Sequence, residues 1–426
     1  MHLDLKNKIQ SELVRNSARL LSANIVAQAI GLLVYPILTR IYSPDDFGLL
    51  NLFLSIGGVL ILLSTADYQN AIVLPKQDKS ARAIVQVCIA LLLSMVVMLL
   101  LTIPFSRPIA RLFDAPDLAS WWWLMPMYVF AIGGWQIARY YLLRHKAFND
   151  LSGYQYSQSL LSTGGKLAFG ATGFLSGGLI TASVLGPLLS FCISISVAWK
   201  KVFHKLLHID KGQCTLEARN YHNFPRYSLP RTIVNYLSGN LPVLMLTPVF
   251  GLTEMGFFGL ALTLSFIPIN MIVQSIYQVL YQRTAQLVND RQRIGRLLFA
   301  YAAQSAIVLV PFFAVLYFVL PWLTGWLLGT EWCVSGEYIR LMLPWLLMTG
   351  IVSPISFLTD VFAKQKQLFV IELLYLFARI GALALGVAWR DFRLALLLYS
   401  LISTIVWMGQ LVWFVWLIRR HDRAIG

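Results

Sequence analysis

Two basic residues stand deep inside apolar runs, where a charge is costly and each one is a candidate for function. Lys166 closes Ser162-Thr163-Gly164-Gly165-Lys166 within the run 153–174, and Arg379 lies near the middle of 367–389. Neither side chain reaches an interface without crossing much of the hydrocarbon. Arg139, Arg231 and Asp67 lie nearer the ends of their runs, where interfacial pairing competes with a place in a cavity. Arg340 stands at the end of its run and reads as interfacial. Glu372 precedes Arg379 by two turns on one helix face, which makes it a partner for Arg379 or, with Asp67, a candidate for ion coupling. Basic groups outnumber acidic ones at depth. Guanidinium and ammonium groups bind phosphate by charge-assisted hydrogen bonds, so this set suits a phosphorylated or otherwise acidic cargo.

Polar residues recur at helical spacing beside them. Asn24, Gln28, Gly31 and Tyr35 share one face, Arg231, Asn235, Ser238 and Gly239 a second, and Gln274, Gln278 and Tyr281 a third. Such stripes serve interhelical hydrogen bonding as well as cavity walls. The substrate-binding set expected from sequence is therefore Lys166, Arg379, Arg139, Arg231, Asn24, Gln28 and Asn235. Nothing points to covalent catalysis: there is no HExxH, no GxSxG, and Gly165-Lys166 is followed by Leu167 where a nucleotide-binding loop needs Ser or Thr. His204 and His208 are spaced as on a helix but lack a third ligand, and the four cysteines have no paired spacing, so no metal and no cofactor is expected.

The elements that must hold these residues follow from composition. Of 426 residues 58% are hydrophobic and 12% charged, about half the charge of an ordinary soluble domain. The formal charge of +15 is spread in short clusters between apolar runs with no continuous basic face, which excludes nucleic acid as a partner. Runs long enough to span lipid lie near 18–39, 48–74, 83–105, 121–142, 153–174 and 177–199, then near 228–250, 255–280, 297–320, 338–362, 367–389 and 394–418. Prolines inside several of them, Pro187, Pro242, Pro268 and Pro344 among others, predict kinks. Most Lys and Arg outside the runs fall on the side that holds the termini, with only Arg40, Arg107, Arg111, Arg390 and Arg393 opposite. The positive-inside rule then places both termini in the cytoplasm. The polar start predicts no cleavable signal peptide, and Leu5, Ile9 and Leu13 read as a short helix on the membrane surface.

The stretch from about Lys200 to Tyr227 reads as a solvated connector that divides the chain into lobes 1–212 and 213–426. Sliding 24–54 onto 232–262 pairs Gly31 with Gly239, Thr39 with Thr247, Gly48 with Gly256 and several Leu and Ile with their like. The fold expected is thus all-α and polytopic, with about twelve transmembrane helices in two six-helix lobes related by a parallel pseudo-repeat around a central cavity.

The run Leu38-Thr39-Arg40-Ile41-Tyr42-Ser43-Pro44-Asp45-Asp46-Phe47-Gly48 closely resembles the first loop of Wzx-like polysaccharide flippases, within the multidrug/oligosaccharidyl-lipid/polysaccharide exporter superfamily. Ala71-Ile72-Val73-Leu74-Pro75-Lys76, Gly256-Phe257-Phe258-Gly259-Leu260-Ala261 and Gln278-Val279-Leu280-Tyr281 resemble further family motifs. The resemblance implies a flippase of the bacterial inner membrane moving an undecaprenyl-pyrophosphate-linked oligosaccharide for O-antigen, capsule or a related surface polysaccharide. It also implies coupling to a proton or sodium gradient, and membrane lipids, a polysaccharide polymerase and a chain-length regulator as partners. Family members often carry a basic residue where this chain has Asp67, which makes the role of Asp67 less transferable from the family. Three readings compete: a drug or small-solute exporter on the same architecture, a polysaccharide polymerase or ligase, and a membrane scaffold. The basic bias at depth disfavours the first, the short loops between runs the second, and the deep charges the third. A cysteine introduced at Lys205 is expected to resist an impermeant maleimide added outside intact cells; labelling there would overturn the orientation.

Overall fold

The computed structural model describes residues 28–198 and 211–425, in which every regular element is helical. A helix suits lipid because it satisfies each backbone N–H and C=O within its own segment. Asn24, the expected surface helix around Leu5, Ile9 and Leu13, and the pair His204 and His208 lie outside the described residues.

The chain divides into two compact units, Met1–Tyr236 and Leu237–Gly426. The first holds α1 (Gln28–Ile41), α2 (Pro44–Thr65), α3 (Asp78–Thr102), α4 (Met125–Arg144), α5 (Phe148–Ala171), α6 (Leu175–Ala198) and the short α7 (Lys211–Asn220). The next helix, α8 (Leu229–Asn289), begins in the first unit and continues into the second. There it is followed by α9 (Gly295–Leu328), α10 (Cys333–Val352), α11 (Gln365–Ala388) and α12 (Phe392–Ile425).

Eight helices among the described residues are long and apolar enough to cross a membrane. One of them is broken at Gly251, whose φ of 84° is open to glycine at little cost. With both arms of α8, the shorter α1, and the more polar α4 and α5 each counted, the order is consistent with the dozen crossings expected. One boundary bears on the motifs read from sequence. The second span was expected over 48–74 but α2 stops at Thr65, because Ala66 and Asp67 both turn left-handed. The motif Ala71–Lys76 therefore starts in a 3-10 turn, Tyr68–Val73, and does not close a helix.

The motif around Ser43 has a local physical cause. Asp46 N–H donates to Ser43 Oγ at 3.3 Å, and Ser43 N–H donates to an Asp46 carboxylate oxygen at 2.9 Å, a reciprocal capping box. Pro44 occupies the first turn, where its missing N–H costs nothing, and Asp45 and Asp46 face the positive end of the helix dipole. The loop between α1 and α2 is thereby reduced to a sharp, rigid corner.

Close packing of α5 on α6 rests on small residues. A Cβ on Gly186 would stand 2.7 Å from the backbone of Ser162, so the helices meet there without a side chain between them. By contrast a Cβ on Gly239 would meet nothing within 4 Å. Gly186→Ala is expected to cost about 1–3 kcal/mol of stability by overpacking, whereas Gly239→Ala costs none. Thermal unfolding of the two purified variants in detergent measures the contrast.

Candidate functional site

Arg379 lies on α11 and is 4% exposed, inside the second unit. Its Nε and one terminal nitrogen donate to Ser403 Oγ on α12 at 3.1 and 2.9 Å. The other terminal nitrogen donates to the Ser238 carbonyl oxygen of α8 at 2.8 Å and to Ser238 Oγ at 3.1 Å. The faces of the guanidinium are covered by rings, with Tyr375, Tyr399 and Trp345 centroids 3.9, 4.3 and 5.1 Å from its central carbon. Tyr399 also donates its hydroxyl to the Ser238 carbonyl, at 3.1 Å. Among the described residues no carboxylate stands within ion-pair distance of Arg379. Its hydrogen-bond partners are Ser238 and Ser403, not Glu372, which lies half-buried two turns earlier on α11. The charge is thus solvated by hydroxyls, one carbonyl and π faces, which leaves its field unneutralised by a counter-ion.

Lys166 is half-buried on α5, the spanning helix richest in polar side chains, which also carries Gln155, Gln158, Ser159, Ser162 and Thr163. Its backbone carbonyl accepts a hydrogen bond from the Tyr42 hydroxyl at 2.6 Å. The corner made by the Ser43 cap therefore grips α5 at the turn that bears the lysine. Burial first, and then the negative charge of Asp46, push the Tyr42 phenol up to about 12, so it remains a donor throughout the physiological range. Nothing in the spacing of Tyr42 and Lys166 announces this pair.

Asp67 is 2% exposed, at the turn after α2. One carboxylate oxygen accepts from Asn70 Nδ2 at 2.7 Å and Gln69 Nε2 at 3.2 Å, and the other accepts from the Ser228 hydroxyl. Local bonding of this kind is what lets an aspartate hold its left-handed φ of 62°. Beside it the Tyr68 hydroxyl, its pKa raised by burial, donates to the Ala218 carbonyl at 2.9 Å. Gln213 Nε2 reaches Ser80 Oγ at 3.5 Å and the Cys214 thiol donates to Gln86 at 3.3 Å. The described part of the connector, from Lys211 onward, is therefore sewn to α3 and to the turn after α2. It differs from the solvated segment read from sequence because hydrophilic composition reports exposure to water on one helix face, not freedom on all of them.

The other expected residues are placed less closely. Arg139 is exposed on α4, Arg231 half-buried in the first turn of α8, Asn235 exposed one turn on, and Gln28 half-buried on α1. Asn24 is outside the described residues. No contact joins Lys166, Arg139 and Asp67 to one another among the described residues. Sequence reasoning missed the cage of Arg379: Tyr375 was visible one turn before it, whereas Trp345, Tyr399 and Ser403 stand on other helices. Also unforeseen was the packing of Tyr236 against α2, its hydroxyl 3.3 Å from the Leu54 carbonyl oxygen. Among the described residues no cluster of His, Cys, Asp or Glu could hold a metal ion.

A family model described as polysaccharide biosynthesis protein matches residues 37–337. The succinoglycan biosynthesis transport protein ExoT of Rhizobium meliloti (strain 1021) is 22% identical over 392 residues, which is 91% of this chain and 76% of that protein. Among solved structures, the lipid II flippase MurJ in an inward closed conformation aligns with a TM-score of 0.73 at 13% identity, over 97% of this chain and 90% of that one. An inward-facing multidrug resistance MATE family transporter of the MOP superfamily aligns at 0.67 and 14% identity, over 95% of each chain. At such identities the structural likeness speaks for the fold alone. Together these findings bear out the resemblance and the all-helical class read from sequence. Ser403→Ala, which strips Arg379 of the acceptor for two N–H groups, is expected to cost about 1–3 kcal/mol, read as a lowered unfolding temperature.

Proposed function

This chain belongs to the polysaccharide biosynthesis protein family, and from that premise we propose that it flips an undecaprenyl-pyrophosphate-linked oligosaccharide repeat unit across the bacterial inner membrane. It is a multi-pass membrane transporter and not an enzyme; the lipid-linked repeat unit, the O-antigen or capsule pathway, and termini facing the cytoplasm are the finer parts of the proposal. The observation that carries it is the cationic character at membrane depth, above all Arg379 without a carboxylate partner among the described residues. A buried, uncompensated positive charge repels cationic drugs and lowers the cost of bringing a pyrophosphate into hydrocarbon.

Two kinds of basic residue then divide the work. Arg379 is sealed by its serines and rings and acts through its field. Lys166, Arg139 and Arg231 are partly open, and their ammonium and guanidinium groups meet the phosphates directly. Asn235, Gln28 and Asn24 supply donors and acceptors for sugar hydroxyls along the same path. Each protein–phosphate hydrogen bond must be traded for the next, so single, spaced cations serve passage better than one tight cluster. Alternating access exposes this path to each leaflet in turn. Asp67 and Glu372 are the carboxylates through which a proton or sodium gradient drives the cycle. For Asp67 the route is its hydrogen bond with the Ser228 hydroxyl, which ties the turn after α2 to the segment that leads into α8.

Deleting the gene is expected to halt surface-polysaccharide export while the corresponding lipid-linked oligosaccharide accumulates on the cytoplasmic leaflet, identified by mass spectrometry of extracted lipids. Absence of any accumulated intermediate would sink the reading. Complementation with Lys166→Ala at normal abundance should restore export by less than about a tenth, the scale of losing one charge-assisted phosphate contact; full restoration removes Lys166 from the path.

A further inference from the structure

Apart from the deep charges, the first unit contains a groove of about 890 Å³ among α3, α4 and α6, overhung at one end by α7. Its walls are hydrocarbon: Ile89 and Leu93 from α3, Phe130 and Ile137 from α4, Phe191 and Ile195 from α6. Ile89 and Leu93 are exposed, so the groove opens on the outer surface of these helices, where acyl chains are the surrounding solvent. Polar groups gather at one end only. There α7 presents Lys211, Cys214 and Thr215, which share one helix face, and α3 presents Gln86. The Cys214 thiol is engaged with Gln86, and the Thr215 hydroxyl donates to the Lys211 carbonyl at 3.0 Å. The Lys211 ammonium is exposed, and no carboxylate stands within ion-pair distance of it among the described residues.

We propose that this groove is a binding site for a phospholipid with an anionic headgroup, its acyl chains along the apolar walls and its phosphate on Lys211. Length supports that occupant. The α4 wall runs from Phe130 to Tyr141, roughly 16 Å at the rise of an α-helix, which is about one leaflet of hydrocarbon. A polyprenyl chain, far longer than a leaflet is deep, would overrun it. An apolar groove at this depth excludes water and is filled by hydrocarbon, so the headgroup end decides which lipid stays. The roof is built, not incidental, since α7 is fixed by Gln213 on Ser80, Cys214 on Gln86 and Ala218 under Tyr68. A lipid seated here would brace α7 against α3 and so brace the segment that Asp67 ties through Ser228. The site stands independently of what the protein transports.

Native mass spectrometry of the full-length protein, after exchange into detergent with phosphatidylglycerol or phosphatidylethanolamine of matched chains, tests it. The wild-type protein is expected to retain phosphatidylglycerol several-fold more than phosphatidylethanolamine. Lys211→Glu should abolish that preference, and Lys211→Ala should lower it on the order of fivefold, the scale of one lysine at a charged membrane surface. Ala90→Trp, which fills the groove from its open side, should reduce retention of both lipids. Equal retention of the two headgroups by the wild-type protein, a preference unchanged in Lys211→Glu, or recovery of a polyprenyl phosphate in place of phospholipid would each overturn the proposal. Lys211 is exposed, so its variants report even where Ala90→Trp fails to fold.

Discussion

A guanidinium in the interior of a membrane protein needs hydrogen-bond acceptors and covered faces, and the second unit supplies Arg379 with both. Its hydrogen bonds run to α8 and α12 from a side chain on α11, and Trp345 brings in α10. Four helices are thus keyed to one side chain. Each cation–π contact is worth about 2 kcal/mol when desolvated and an unanswered donor costs a comparable amount, so losing any one member of the cage carries a cost. Serine and tyrosine satisfy the charge without neutralising it. A buried carboxylate would have added its own desolvation cost and cancelled the positive field.

The first unit shows the same economy on its own terms. The reciprocal cap between Ser43 and Asp46 makes the corner after α1 rigid. Tyr42, next to that cap, then holds the α5 carbonyl at Lys166, and Gly186 lets α6 lie against the same helix. Lys166, half-buried in the protein, therefore sits on a helix with little freedom to carry it away. At the end of the unit where α7 lies, Asp67 plays a similar part for the chain leading into α8. Rigid elements that carry isolated charges are what a transporter requires if charges are to move only when whole helices move.

Much of this was legible in the residues. Lipid leaves only helices and closed barrels, and apolar runs of about 20 residues suit helices, so run length carried the class of fold, and Lys166 and Arg379 stood out by depth alone. The motif around Ser43 could be read as a cap because a capping box is local, its partners three residues apart. What could not be read depends on contacts distant in sequence. Ser238 and Arg379 are 141 residues apart and Tyr42 and Lys166 124, and periodicity says which face is buried but not against what. The docking of α7 was missed for the same reason: Lys211–Asn220 is polar enough to pass as solvated, and only its neighbours show that one face is engaged. The early end of α2 was missed because Ala66 and Asp67 are ordinary residues in an unusual backbone state.

The central claim is that basic residues at membrane depth conduct a lipid-linked anionic sugar from one leaflet to the other. Reconstitution of the purified chain into proteoliposomes, with undecaprenyl-pyrophosphate-linked oligosaccharide extracted from cells lacking the gene, tests it directly. Leaflet position is read by the susceptibility of the sugar to an impermeant oxidant added outside, after an ion gradient is imposed. The account predicts that protein-containing vesicles change the exposed fraction within minutes and that an uncharged polyprenol-linked sugar moves far more slowly. Exposure changing no faster than in protein-free vesicles, or at equal rates for the charged and uncharged lipids, would contradict it.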